Sequence, residues 1–283
     1  MKIAIIHDWL TGMRGGEKCL EVLCKLYPSA DIFTLLHIPG KVSPVIESHR
    51  IHTSFIQNLP FAESKYRYYL PLMPSAIEAF DLKEYDLILS SSHCVAKSVK
   101  PGPSSMHICY CHTPMRYIWD QFDQYFGKGK SSWFAATAIK FIRGWLQRWD
   151  VKTSRRVNHF IANSRHVQKR IKKYYNQEAA IIHPPVDTGL FTPDTNEEKE
   201  NYFLIVSAFA PYKRLDLAVN AFNQLNLPFF VIGEGQDAKR LKEMANPNIH
   251  FEGWLDNSQI RSHFARCRAF IFCGEEDFGI TLL

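Results

Sequence analysis

No apolar run in the 283 residues approaches the roughly 18 consecutive apolar positions that a bilayer-spanning helix needs. The opening, "MKIAIIHDW", has too short an apolar stretch for a secretory signal and lacks a small-residue cleavage site. Cysteine is sparse: seven residues, an odd number, with no C-x-x-C pair. They read as reduced thiols of a cytoplasmic protein rather than a disulfide framework. Cys109, Cys111 and His112 cluster in sequence, but residues i and i+2 of a strand share a face and no fourth ligand is evident, so no metal is expected. A G-x-G-x-x-G fingerprint is also missing, because Gly12, Gly15 and Gly16 do not fit it. With that fingerprint and its distal acid absent, a nicotinamide-dependent oxidoreductase is a poor reading.

What is present is an ordinary globular composition, 46% hydrophobic and 22% charged, with a formal charge of +6. Most of that charge traces to one stretch, where Arg148, Lys152, Arg155, Arg156, Arg165, Lys169, Arg170, Lys172 and Lys173 face only Asp150. Such a cluster is either a solvated helix face or a patch for anionic lipid or phosphorylated ligands; no nucleic-acid partner is expected. Short apolar runs alternate with helical stretches: "KIAIIHDW", "ADIFTLL", "YDLILSSS", "HICYCHT", "HFIANS" and "AAIIHPPV" read as strands, and Glu17 to about Tyr27 as a helix with Leu20, Val22, Leu23 and Leu26 apolar. Strands apolar on both faces and separated by helices predict a parallel sheet covered on each side. Prolines, turn residues and a charge run over residues 183–201 mark a linker. After it the rhythm restarts, and "AFIFCG" reads as the last strand, buried in the core. The expectation is an α/β chain of two Rossmann-like domains, 1–190 and 200–283, the second incomplete.

Four stretches are candidates for chemistry. In "TGMRGGEK", Gly15 and Gly16 lie between a strand and a helix, either as a tight turn or as an anion site at a helix N-terminus. His112, in "YCHTPMRYIWD", falls where a buried strand gives way to a loop, the carboxyl end at which open α/β sheets bind ligands. A structural histidine is the alternative. In "SAFAPYKRLDLAV", Lys213 and Arg214 follow a strand and begin a helix, which suits a diphosphate unless they are an exposed surface pair. "VIGEG" sets Gly233 and Gly235 at another strand end, where a ligand could approach the backbone. In "GEEDFGITLL", Glu275, Glu276 and Asp277 repel one another, so a purely structural purpose is hard to find. A carboxylate there can accept hydrogen bonds from sugar hydroxyls, and the Gly279 N–H, beyond Phe278, offers a donor.

Taken in order, "GGEK", "YCHTPMRYIWD", "FIANSRHVQKRI", "PPVD", "PYKRLDLAV", "VIGEG" and "GEEDFGI" resemble the family 4 retaining glycosyltransferases of the GT-B fold, and within them the bacterial mannosyltransferase-like members of cell-surface polysaccharide assembly. The resemblance implies an acceptor-side domain and a nucleotide-sugar domain, transfer of a hexose from a nucleoside-diphosphate sugar (GDP-mannose for this subgroup) to a glycan or lipid-linked acceptor, and no metal or other cofactor. Carried over by position, His112 would contact the transferred sugar and Glu276 would bind its hydroxyls, as the catalytic pair. Lys213 with Arg214 would hold the diphosphate. Gly15 and Gly16 would lie near the donor phosphates, Gly233 and Gly235 would line the nucleotide side, and Glu275, Phe278 and Gly279 would complete the donor site.

Two departures stand out. Ala208 occupies a position that is usually arginine in the family. Seven residues on from Glu276 is Leu283, so the second glutamate of the family's E-x7-E motif would be the next residue. A truncated chain with an open apolar edge strand is therefore expected to be poorly soluble or inactive. The competing reading is a catalytically inactive remnant or binding module. Finally, Phe134, Ala138, Phe141, Ile142, Trp145 and Trp149 recur at helical spacing with Lys140, Arg143 and Arg148 interspersed. Residues 133–156 would then either pack on the first domain's core or touch the inner face of the cytoplasmic membrane peripherally.

Overall fold

The computed structural model describes residues 1–120, 133–189, 192 and 198–282, with backbone alone over 133–140. The chain divides into two compact units, Met1–Pro185 and Val186–Leu283. The division falls inside the stretch marked by its prolines and turn residues.

The first unit is built on a seven-stranded sheet, all of whose pairings are parallel. Its strands are β1 (Ile3–His7), β2 (Asp31–Thr34), β3 (Ile51–Thr53), β4 (Leu87–Ser92), β5 (Met106–Cys111), β6 (His159–Ala162) and β7 (Ala179–Ile181), in the spatial order β3-β2-β1-β4-β5-β6-β7. The period-2 geometry of a strand explains the continuous apolar runs. Along β1, Ala4 and Ile6 enter one core cluster with Ile88, while Ile5 enters the opposite one with Ile32 and Leu89. Both faces are covered, and each fully buried Ile or Leu contributes about 1.5–3 kcal/mol. The strand order reverses at β1 and β4, so a crevice is expected beyond their carboxyl ends.

The helix Gly15–Leu26 follows β1 and buries Glu17, Cys19, Leu20 and Cys24. Leu26, expected on its apolar face, is instead exposed; Cys24 takes the core position four residues after Leu20. The long helix Trp133–Ser154 packs on the core of the first unit: Leu146 is buried, and Ile142 and Trp149 lean on the same cluster. The Trp149 indole N–H also donates to Glu78 at 2.9 Å. Phe141 and Trp145 stay exposed on the other side. Phe134, Ala138 and Lys140 lie outside the residues whose side chains are described. No helix among the described residues is long and apolar enough to cross a membrane.

The basic stretch is less electropositive than its sequence. Arg156 pairs with Glu78 at 2.9 Å, Lys172 with Glu178 at 2.7 Å, and the buried Arg170 with Asp120. Asp150, read as the counter-ion of this stretch, instead takes Lys97 at 2.7 Å. Arg148, Lys152 and Arg155 remain around Trp119 and Val151, lining a cleft of about 360 Å³.

The second unit carries β8 (Phe203–Val206), β9 (Phe229–Ile232), β10 (Ile249–Gly253) and β11 (Ala269–Phe270), all parallel, in the order β10-β9-β8-β11. Alternation again feeds two faces: Ile205, Phe229 and Val231 enter one cluster, and Leu204 and Ile232 the other. One expectation needs correcting. "AFIFCG" yields only a two-residue strand, and Ala269 to Cys273 are half-buried rather than core. Among the described residues β11 pairs only with β8, at the edge of the sheet, where half-burial follows from having a neighbour on one side alone.

Candidate active site

The carboxyl end of the first sheet gathers three histidines and two acids. His7 closes β1 and Asp8 follows it; Ser91 and Ser92 close β4 and His93 follows; His112 comes directly after β5. Asp8 is fully buried, and its carboxylate accepts four consecutive backbone N–H groups, from His93, Cys94, Val95 and Ala96, at 2.6 to 2.9 Å. Burial alone would raise its pKa, but the charges of His93 and His7 and these N–H donors outweigh that and hold it low. Asp8 thereby fixes the turn that carries His93, whose Nδ1 lies 3.1 Å from the same carboxylate.

His112 is half-buried and anchored through its backbone. Its N–H donates to the Ser92 carbonyl at 2.8 Å, and its carbonyl accepts from the Asn163 side chain at 3.1 Å. Its Nε2 lies 2.8 Å from the Ser91 hydroxyl. Burial first, then repulsion from His93 and His7, pushes its pKa down to about 3, so the ring is neutral at neutral pH. Gly16 sits beside this cluster: a Cβ there would meet His7 Cε1 at 3.6 Å and His112 Nε2 at 3.8 Å, while one on Gly15 would meet nothing within 4 Å. The helix start next to them is already supplied with an anion. Glu17 in its first turn accepts the Arg14 N–H at 3.0 Å and lies 3.7 Å from His7 Nε2. Burial would raise the Glu17 pKa, but His7 and His93 hold it at about 2.

These shifts set a pH dependence. Glu17 is depressed below its ordinary value of 4.5, and His112 and His107 below 6.5, to about 3 and about 4. In each case the unfolded chain binds more protons than the folded one, so stability is full above about pH 6.5 and falls as the pH drops towards 2. Urea midpoints of the first unit measured from pH 7 to pH 3 should decline steadily. His107→Gln should remove the share of that decline that His107 contributes between about 6.5 and 4, leaving the share of His112; an unchanged slope would contradict this assignment.

In the second unit, Lys213 ends the single turn Pro211–Lys213 after β8, and Glu276 lies in the loop after β11. Their side chains form an ion pair, each less than a fifth exposed. Gly274 makes this approach possible, since a Cβ there would lie 3.0 Å from the Lys213 backbone. Arg214, at φ +52°, turns to the helix that follows and binds Asp216 with two nitrogens, at 3.1 and 3.2 Å. It does not join Lys213 on Glu276, and its expected help with a diphosphate would require leaving Asp216. Glu275 is exposed, while Asp277, Phe278 and Gly279 are half-buried; Gly279 at φ +79° accepts the Leu282 N–H at 2.9 Å.

Gly233 and Gly235 follow β9, where the loop after β8 packs against them. Both have positive φ, and a Cβ on Gly233 would lie 2.0 Å from the Ser207 carbonyl oxygen and one on Gly235 2.5 Å from that of Phe209. The close approach they permit is that of the chain's own β8 loop. Among the described residues no group of three or more histidine, cysteine or acidic side chains is placed to hold a metal ion, and Cys109 and Cys111 are buried in the core. Sequence reasoning passed over His7, Asp8, Glu17, Ser91 and His93. For His7, Asp8, Ser91 and His93 the signal was present as polar residues at the ends of "KIAIIHD" and "LILSSSH", the same position that drew attention to His112.

Residues 190–283 match the family model of glycosyl transferases group 1, and residues 13–190 that of Glycosyltransferase Family 4. The O-antigen chain mannosyltransferase C of Escherichia coli is 32% identical over 91 residues, 30% of this chain and only 24% of that relative. Among solved structures, Anabaena HepE in complex with UDP and glucose superposes with a TM-score of 0.65 at 14% identity, covering 99% of this chain and 77% of HepE. Sucrose-phosphate synthase of Thermosynechococcus elongatus gives 0.64 at 12% identity, over 99% and 78%. These structural likenesses place the two α/β units in the GT-B fold. With more than half of its length matched by one family model, the chain belongs to glycosyltransferase family 4.

Proposed function

We propose that this chain moves a hexose, mannose being the first to test, from a nucleoside-diphosphate sugar to a glycan or lipid-linked acceptor, with retention at the anomeric carbon. The observation that carries the reading is the Lys213–Glu276 pair. One cation and one carboxylate meet at the carboxyl end of a parallel sheet, where a diphosphate and sugar hydroxyls would each find a partner of the right kind. A ligand phosphate would draw Lys213 away from Glu276 and free the carboxylate for hydroxyls. The UDP and UDP-glucose complexes of HepE support a nucleotide-sugar donor. The match to an O-antigen mannosyltransferase supports mannose and a polysaccharide acceptor. In the step itself the bond from C1 to the phosphate oxygen breaks while that from C1 to the acceptor oxygen forms on the same face. The acceptor proton passes to the departing phosphate, whose charge Lys213 offsets. The neutral His112 contributes a hydrogen bond to the sugar. The exposed Phe141 and Trp145 are the side chains with which the first unit would meet a membrane carrying a lipid-linked acceptor.

The test is incubation of the chain with GDP-mannose and UDP-glucose and a lipid-linked glycan acceptor, with the anomeric configuration of the product read by proton NMR. An α-linked product from an α-linked donor is expected. Inversion would overturn the mechanism, and no transfer from any nucleoside-diphosphate hexose would overturn the function.

A further inference from the structure

Outside the residues already assigned a role, a chain of side chains runs from the helix start to His112. The Glu17 carboxylate lies 3.7 Å from His7 Nε2. His7 Nδ1 lies 3.1 Å from the Ser91 hydroxyl, and that same hydroxyl lies 2.8 Å from His112 Nε2. His7 and Ser91 are fully buried and the Glu17 side chain is 4% exposed. We infer that Glu17, His7 and Ser91 are positioning residues that fix the tautomer of His112, with the proton on Nε2 and the lone pair of Nδ1 offered to a sugar hydroxyl.

Ser91 has a single hydroxyl proton and stands between two ring nitrogens, so it donates to one histidine and accepts from the other. The sense is set at the far end. His7 Nε2 is buried without a hydrogen-bond partner among the described residues, and the nearest charge it faces is the Glu17 carboxylate. At 3.7 Å the contact is an ion-pair distance rather than a hydrogen bond, yet a lone pair on Nε2 would point at a negative charge and an N–H would be attracted by it. With one proton on its ring, His7 carries it on Nε2, and its Nδ1 accepts from Ser91. Ser91 is then left to accept from His112, whose proton must be on Nε2. His112 Nδ1 is the atom that remains, and it has no hydrogen bond among the described residues. The other ionisable groups around the chain include Asp8 and His93, which lie 3.1 Å apart, Arg14, whose charge acts on His93, and Tyr110, whose ring centroid is 5.2 Å from that of His112.

The tautomer follows from these distances for a singly protonated His7; the statement that it meets a sugar hydroxyl rests on the function proposed above. The relay also predicts its own reversal. The Arg14 N–H, 3.0 Å from Glu17 Oε2, requires an oxygen. In Glu17→Gln the amide oxygen would stay there and the NH₂ would turn to His7. His7 would then carry its proton on Nδ1, Ser91 would donate to His112 Nε2, and the His112 proton would move to Nδ1.

The experiment is nitrogen NMR of the full chain labelled with ¹⁵N-histidine at neutral pH, with the His112 signals identified by their loss in His112→Gln. Wild type should show His112 protonated at Nε2 and bare at Nδ1, and Glu17→Gln should show the opposite. A wild-type His112 protonated at Nδ1, or one whose tautomer is the same in both chains, overturns the relay. If Glu17→Gln does not fold, Ser91→Ala cuts the chain and should leave His112 as a mixture of both tautomers; a single unchanged tautomer refutes the inference. Because the readout needs no turnover, the expected tautomer in a chain that transfers no sugar would sink the function and leave the relay standing.

Discussion

Lys97→Met is expected to lower the stability of the first unit by about 3–5 kcal/mol, the usual cost of removing one partner from a buried ion pair. Lys97 is only 1% exposed and Asp150 not at all, with Lys97 Nζ 2.7 Å from Asp150 Oδ1 and 3.2 Å from the Asp150 carbonyl. The other carboxylate oxygen accepts from the Trp119 indole and the Tyr175 hydroxyl, each at 2.9 Å. Methionine matches the volume of the stem, so the loss measures an uncompensated carboxylate rather than a cavity. The deficit is read from urea midpoints by tryptophan fluorescence. Asp150→Leu in the same chain should recover only part of it, because Trp119 and Tyr175 would lose their acceptor. A single-variant loss under about 1 kcal/mol would show that the pair is not the buried tie described here.

Much of the architecture was legible because strands with both faces covered cannot hide their composition. "KIAIIH" must be apolar throughout if Ala4 and Ile6 fill one cluster and Ile5 another. The order of the second sheet, with β11 beside β8, follows from the same doubly wound logic. The polar cluster was not legible, for a physical reason. His7 and Ser91 are 84 positions apart, and Ser91 and His112 are 21 apart; they meet only because β4 lies between β1 and β5. Each alone is one polar residue at a strand end. Glycine also deceives in sequence, since it permits close approach without saying of what. At Gly233 and Gly235 the neighbour is the chain's own loop. At Gly274 the neighbour is Lys213, and the approach brings Glu276 to its cation. Basic clusters mislead in the same way, because Glu78 and Asp120, which neutralise Arg156 and Arg170, come from 50 or more residues away.

In the second unit, Lys213→Ala and Glu276→Gln are expected to act on nucleotide binding with opposite signs. Removing the lysine takes away a charged hydrogen-bond donor worth about 1.5–3 kcal/mol, so nucleoside-diphosphate affinity should fall by roughly 10- to 150-fold. Neutralising Glu276 removes the partner that a phosphate must displace. At about 0.2–1 kcal/mol for a pair that is partly open to water, the bare nucleoside diphosphate should bind up to about 5-fold more tightly. The nucleoside-diphosphate sugar should not share that gain, because the carboxylate freed by the phosphate is then missing for the hydroxyls. Titration calorimetry with GDP, UDP and their hexose conjugates separates the two effects. The double variant should match Lys213→Ala alone, since the competition that Glu276 exerts passes through Lys213. If Glu276→Gln weakened the diphosphate and its sugar conjugate equally, the pair would be a support of the loop and not a switch between partners, and Lys213 would lose its place at the diphosphate.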